Sequence, residues 1–212
     1  MRETGENTWL ISDELATDSL HKLDNLYFNQ GKFKEAEAMY KRALEGREKS
    51  LGPDHISTLS TVNHLGNLFK DQGKLKEAEA MYTRALEGYK KAVRPDHTLT
   101  LSTVNNLGTL YLIQGKFKEA ETMYERALEG WEKSLEPGHT STLDTVNNLG
   151  NLYLNQGKSR EAEAMYERAL RGYQSALGPN HPKSSQVMCN MESLQRIQGS
   201  TSRHLQLNAS MS

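Results

Sequence analysis

One unit is written four times along this chain, at a fixed interval and without gaps, and that limits its fold more than any other property. Gly31, Gly73, Gly115 and Gly157, each inside a Gln-Gly-Lys triplet, lie 42 residues apart. Segments 73–114 and 115–156 agree at about two-thirds of their positions. A single unit of this size cannot bury its own apolar face, whereas several stacked units share a continuous core. The fold must therefore be an array of equivalent modules.

Each module reads as two helices. In one copy, residues 101–114 place Leu101, Val104, Leu107, Leu110 and Tyr111 on one helical face. Gly115 follows as a left-handed stop. A second helix over residues 116–135 carries Phe117, Ala120, Met123, Tyr124, Ala127, Leu128 and Trp131 at helical spacing. The linker "EPGHTS" then holds Pro137, which ends simple continuation, and Thr/Ser residues able to cap the next helix. No stretch alternates with strand periodicity. Small residues beside aromatic ones imply close antiparallel packing, with Gly108 expected to face Tyr111 on its own helix. Gly46, Gly88, Gly130 and Gly172 each sit inside a second helix, at a cost of about 0.8–1 kcal/mol relative to alanine. Close helix approach explains them, or duplication has copied a neutral choice.

The order Val104, Leu107, Gly108, Tyr111, Ala120, Tyr124, Ala127 resembles the tetratricopeptide repeat. It recurs at Val62, Leu65, Gly66, Phe69, Ala78, Tyr82 and Ala85, and again from Val146 to Ala169. HEAT-type repeats share the period but not this order. Two departures stand out: the closing proline of the ordinary unit is missing, and the second helix is about two turns longer. Units of this length with "RALEGxEKSLxPxH" linkers resemble those of kinesin light chains. They are closer still to the arrays that end many fungal NACHT or NB-ARC signalling proteins. The resemblance implies an all-α, right-handed superhelical solenoid of helix-turn-helix repeats whose work is protein–protein interaction. The expected layout is an uncertain extension over 1–14, a degenerate first repeat over 15–56, and repeats over 57–98, 99–140 and 141–182. A capping helix over 183–199 and a disordered tail over 200–212 complete it. The degenerate first repeat leaves open a fragment or shortened paralogue of a larger protein.

Composition narrows the partners. Lys and Arg total 26 against 27 acids, so the formal charge of −1 lacks the basic excess of a nucleic-acid binder. No run approaches the ~20 apolar residues of a membrane span. A single cysteine, Cys189, suits a reducing compartment, and the polar start is no secretory signal, so a cytoplasmic location is expected. "QGKS" at 156–159 imitates the end of a phosphate loop, but Leu152 stands where the motif needs glycine; the segment is a helix turn. His55, His97, His139 and His181 recur once per unit, and stacked units separate equivalent positions by roughly 20 Å. Zinc ligands must converge within about 2 Å of one ion, so linker or capping roles are expected instead. Cys189 reads as a small buried hydrophobe beside Met188, and Met39, Met81, Met123 and Met165 as core filler. No cofactor, metal or catalytic constellation is expected.

In tetratricopeptide arrays the first helices line the concave wall that takes extended peptides. By position, the resemblance places Asn25, Asn63, Asn67, Asn105, Asn106, Asn147, Asn148 and Asn151 there. Each amide offers a donor and an acceptor, so such a row can hydrogen-bond a peptide backbone whatever its side chains. Lys70, Leu112 and Leu154 differ between units at one level, and Asp71, Ile113 and Asn155 at the next, so specificity would arise there. Leu112, Ile113 and Leu154 offer an apolar foothold. Inward positions hold Asn, Ser and Asp with Lys22 alone in the first unit, which is no carboxylate clamp of the chaperone-receptor kind. The basic groove residues by which kinesin light chains read acidic cargo peptides are largely absent too. The expected activity is thus a non-catalytic scaffold, monomeric or weakly self-associating. The alternatives are a regulatory or self-assembling segment of a NACHT/NB-ARC-type protein, and a kinesin-light-chain-like cargo adaptor.

Overall fold

A computed structural model describes residues 32–136 and 138–210. Among them are eight helices and no strand: α1 (Phe33–Leu51), α2 (Ile56–Asp71), α3 (Leu75–Ala92), α4 (Thr98–Ile113), α5 (Phe117–Ser134), α6 (Thr140–Asn155), α7 (Ser159–Leu177) and α8 (Pro182–Ser210). The chain forms two compact units, Met1–Leu110 and Tyr111–Ser212. In the first, α2 packs between α1 and α3; in the second, α6 packs between α5 and α7, and α8 lies against α7.

The expected helix pairs are present, with shifted ends. α4 begins at Thr98, not Leu101, because His97 caps it. In four linkers the histidine Nδ1 accepts the backbone N–H two residues on: His55 from Ser57, His97 from Leu99, His139 from Ser141 and His181 from Lys183, each at 3.2 Å. These are N-caps, satisfying a donor that the first helical turn cannot. His139→Ala is expected to cost about 0.5–2 kcal/mol of stability, with His139→Asn recovering most of it. Urea unfolding checks this, and an unchanged midpoint in the alanine variant would remove the cap from the account.

The Gln-Gly-Lys triplets close the first helices. Gly157, at φ 74°, donates to the Leu154 carbonyl at 3.0 Å, and Lys158 donates to the Tyr153 carbonyl at 2.8 Å. That paired pattern is a Schellman motif, which needs a left-handed residue. The lysine then folds back: Lys158 Nζ lies 5.1 Å from the centre of the Tyr153 ring, as Lys74 does at 5.4 Å from Phe69 and Lys116 at 5.1 Å from Tyr111. A cation over the ring replaces the apolar contact that usually accompanies this turn. The "QGKS" stretch has this local role.

Packing follows the small-beside-large pattern, with one correction. Gly66 and Gly150 do not answer an aromatic of their own helix. A Cβ added at Gly150 would come within 2.6 Å of the Tyr166 ring, and one at Gly66 within 2.7 Å of Tyr82. The glycine is a socket for the tyrosine of the following helix. Ala78, Ala85, Ala162 and Ala169 are fully buried alongside. Gly88 and Gly172 meet the leucines Leu59 and Leu143 at close range, so helix approach explains them. Gly46 has nothing within 4 Å, and there duplication is the better account.

Three readings change on α8 and the methionine row. Cys189 is exposed, because the buried face of α8 runs through Ser184, Val187 and Leu194. Met81 and Met165 pack against core clusters, but Met39 is exposed. The helix continues to Ser210, through the stretch expected as a tail. Pro182 occupies its first position, where proline is tolerated, and no proline follows. Ser185, Met188, Glu192 and Gln195 stand where α6 has Leu143, Val146, Gly150 and Tyr153, and all four are exposed. Glu192 fills the place of the socket glycine.

Candidate functional site

In the first unit the asparagines fall on α2 and α4, half-buried at Asn63, Asn67, Asn105 and Asn106. Their helices are the ones whose Leu and Val positions face the core, so amides at the intervening positions lie at its edge. Asn63 Oδ1 accepts from Asn106 Nδ2 at 3.3 Å and from Thr103 Oγ1 at 3.2 Å, joining α2 to α4. Asn67 Oδ1 accepts from the Tyr82 hydroxyl at 2.6 Å, joining α2 to α3. Lys70 pairs with its neighbour Asp71 at 3.3 Å. Asn25 lies outside the described residues.

The second unit repeats the arrangement on α6. Asn147, Asn148 and Asn151 are half-buried. Asn151 Oδ1 accepts from the Tyr166 hydroxyl at 2.8 Å. Asn190 Nδ2 of α8 donates to Asn147 Oδ1 at 3.1 Å and to Asn151 Oδ1 at 3.3 Å. Leu112 and Leu154 are partly buried against core clusters, while Ile113 is 53% exposed. The apolar foothold is therefore partly committed to packing.

Two features escaped the sequence reading. Asn190 completes the amide row, and its signal was the 42-residue spacing from Asn148, hidden by the degeneracy around it. The tyrosine hydroxyls that hold Asn67 and Asn151 were read only as core. Burial pushes the Tyr166 phenol up to about 12 and raises Tyr82 as well, so both remain protonated donors at neutral pH. A further group sits at the start of α6. Asp144 accepts from Lys183 Nζ at 2.7 Å through both oxygens and from the Tyr173 hydroxyl. Lys183 also stands 5.6 Å from the centre of the Tyr173 ring. Burial, then the Asp144 bond, raises that phenol.

Beside the Lys70–Asp71 pair and the Asp144–Lys183–Tyr173 group, the side chains named here are amides and aliphatic residues, which can hydrogen-bond and pack. No helix among the described residues is long and apolar enough to cross a membrane.

The crystal structure described as a Podosopora anserina kinesin light chain with nearly identical TPR-like repeats superposes with a TM-score of 0.70 at 22% identity. The match covers 91% of this chain and 91% of that one. BtubC (BKLC) from P. vanneervenii gives 0.70 at 23% identity over 99% and 93%. At these identities the likeness is one of fold, an all-α solenoid of helix–turn–helix repeats. A nucleotide-binding leucine-rich repeat (NLR)-like protein of Hyaloscypha variabilis is 40% identical over 52 residues, 24% of this chain and only 5% of that relative. The tetratricopeptide-repeat family model matches residues 17–91, 99–175 and 141–203. With that coverage, and with the Leu-Gly socket and buried Ala-Tyr-Ala helices just described, the chain belongs to the tetratricopeptide-repeat family.

Proposed function

We propose that this chain is a non-catalytic protein-interaction scaffold that holds an extended segment of a partner along the asparagine faces of its first helices. The observation that carries the reading is the division of labour within each amide. The oxygens of Asn63, Asn67, Asn147 and Asn151 accept internal hydrogen bonds. Their nitrogens donate none among the described residues, although the side chains are half-buried. A fixed oxygen sets the amide plane, so the nitrogen is pre-organised as a donor to a peptide carbonyl, lowering the ordering cost of binding. Within each unit two such donors stand four residues apart on one helix, Asn63 and Asn67 on α2 and Asn147 and Asn151 on α6, and a pair of donors suits a backbone whose carbonyls recur along its length.

The test separates binding from folding. Asn67→Asp and Asn151→Asp keep an oxygen for each tyrosine hydroxyl and remove the donors. Peptides selected from a displayed random library on the parent should bind the doubly substituted protein at least about tenfold more weakly, while its urea midpoint stays near the parent's. Equal binding by both would refute the groove.

The 40% match to an NLR-like protein favours a second reading, a regulatory or self-assembling segment of a larger signalling protein. Light scattering after size exclusion distinguishes it, since self-assembly gives a mass that rises with concentration.

A further inference from the structure

The charges of this chain are sorted by helix. A quarter of all residues are charged, so a sixteen-residue helix would ordinarily hold about four. The sixteen residues of α4 hold none, and those of α6 hold only Asp144. α2 holds Lys70 and Asp71 at its last two positions, and most of the other charges lie in the second helices, as "FKEAETMYERALEGWEKS" in α5 shows. Asp144 is already occupied by Lys183 and Tyr173. From Thr145 to Gly157 the second unit therefore presents Asn147, Asn148, Asn151, Leu154 and Asn155 with no ionised group among them.

The geometry points to a partner of one chemistry: an extended segment that carries no charge where it meets α6, with its carbonyls on the amide nitrogens and an apolar side chain at the level of Leu154. The inference rests on the groove reading above and adds the class of ligand. A carboxylate or ammonium laid on half-buried neutral amides gives up water without gaining a counter-charge, and single neutral dipoles do not offset that loss. A neutral segment suffers no such loss, and the wall's amide donors meet carbonyls that every peptide offers. The sorting thus selects against charged segments of either sign, in contrast to a basic groove that reads acidic ones.

The experiment is selection from a displayed random peptide library on the whole chain, run in parallel at low and high salt. Enriched sequences should be depleted of Asp, Glu, Lys and Arg relative to the unselected library. Synthetic copies should change affinity by less than about twofold between roughly 0.05 and 0.5 M salt. Placing either Asp or Lys at the centre of an enriched peptide should weaken it by about tenfold or more. Asn155→Lys supplies the converse: the position is exposed and near a helix C-terminus, where a cation is well tolerated. Selection on that variant should shift toward acidic peptides. Charged, salt-sensitive peptides that lose affinity on Asn151→Asp would overturn the inference and leave the groove standing. Peptides indifferent to Asn151→Asp, or no enrichment at all, would overturn both.

Discussion

Tyr166→Ala will cost the second unit about 3–5 kcal/mol, the range for removing a large aromatic from a core. The ring is fully buried, fills the socket over Gly150, and shares a core cluster with Val146, Ala162, Ala169 and Tyr173. Its hydroxyl also holds Asn151. Tyr166→Phe keeps the ring and removes only the hydrogen bond, so it should cost about 0.5–1.5 kcal/mol. Urea unfolding monitored by far-ultraviolet circular dichroism gives both numbers. If the two variants were equally stable, the ring would not be the structural element assigned here.

Gly172→Ala will destabilise by about 1–3 kcal/mol, although alanine is the better helix former by ~1 kcal/mol. The opposite sign is expected because the added methyl would overlap the Leu143 side chain, itself only 2% exposed. Leu143→Ala alone leaves a cavity and should cost about 2–5 kcal/mol. Combined, the two changes relieve each other, and a double-mutant cycle should show a coupling of about 0.5–3 kcal/mol. Gly46→Ala is the control, since nothing lies within 4 Å of that position, and it should be neutral or stabilising. Strict additivity of Gly172→Ala and Leu143→Ala would mean that they do not share one contact.

Much of this protein is legible in its sequence because a repeat presents the same evidence several times. The period, the two helices per unit, the glycine stops and the buried Leu, Val and Ala positions all follow from spacing, since a helix exposes one face per 3.6 residues wherever it lies. The capping role of the linker histidines was also within reach, as their separation excluded a shared metal. The candidate site was half legible. Sequence placed Asn63, Asn67, Asn147 and Asn151 on the first helices, at positions the structure leaves half-buried.

What spacing along one helix could not reveal is which element lies across from it. The socket partner of Gly150 is Tyr166, sixteen residues away on another helix, and not the aromatic three residues on. The Asn147–Asn190 bond spans 43 residues and depends on how α8 lies beside α6. Cys189 and Met188 are exposed because α8 turns another face, through Val187 and Leu194, to its neighbours. Periodicity is a property of the chain's own local geometry, so the sequence by itself determined the repeating unit and its two helices. Pairing across helices depends on the relative rotation and register of separate segments, which the summed packing of many side chains settles. Tertiary structure alone therefore decided which amide oxygens accept internal hydrogen bonds, and which amide nitrogens donate none among the described residues.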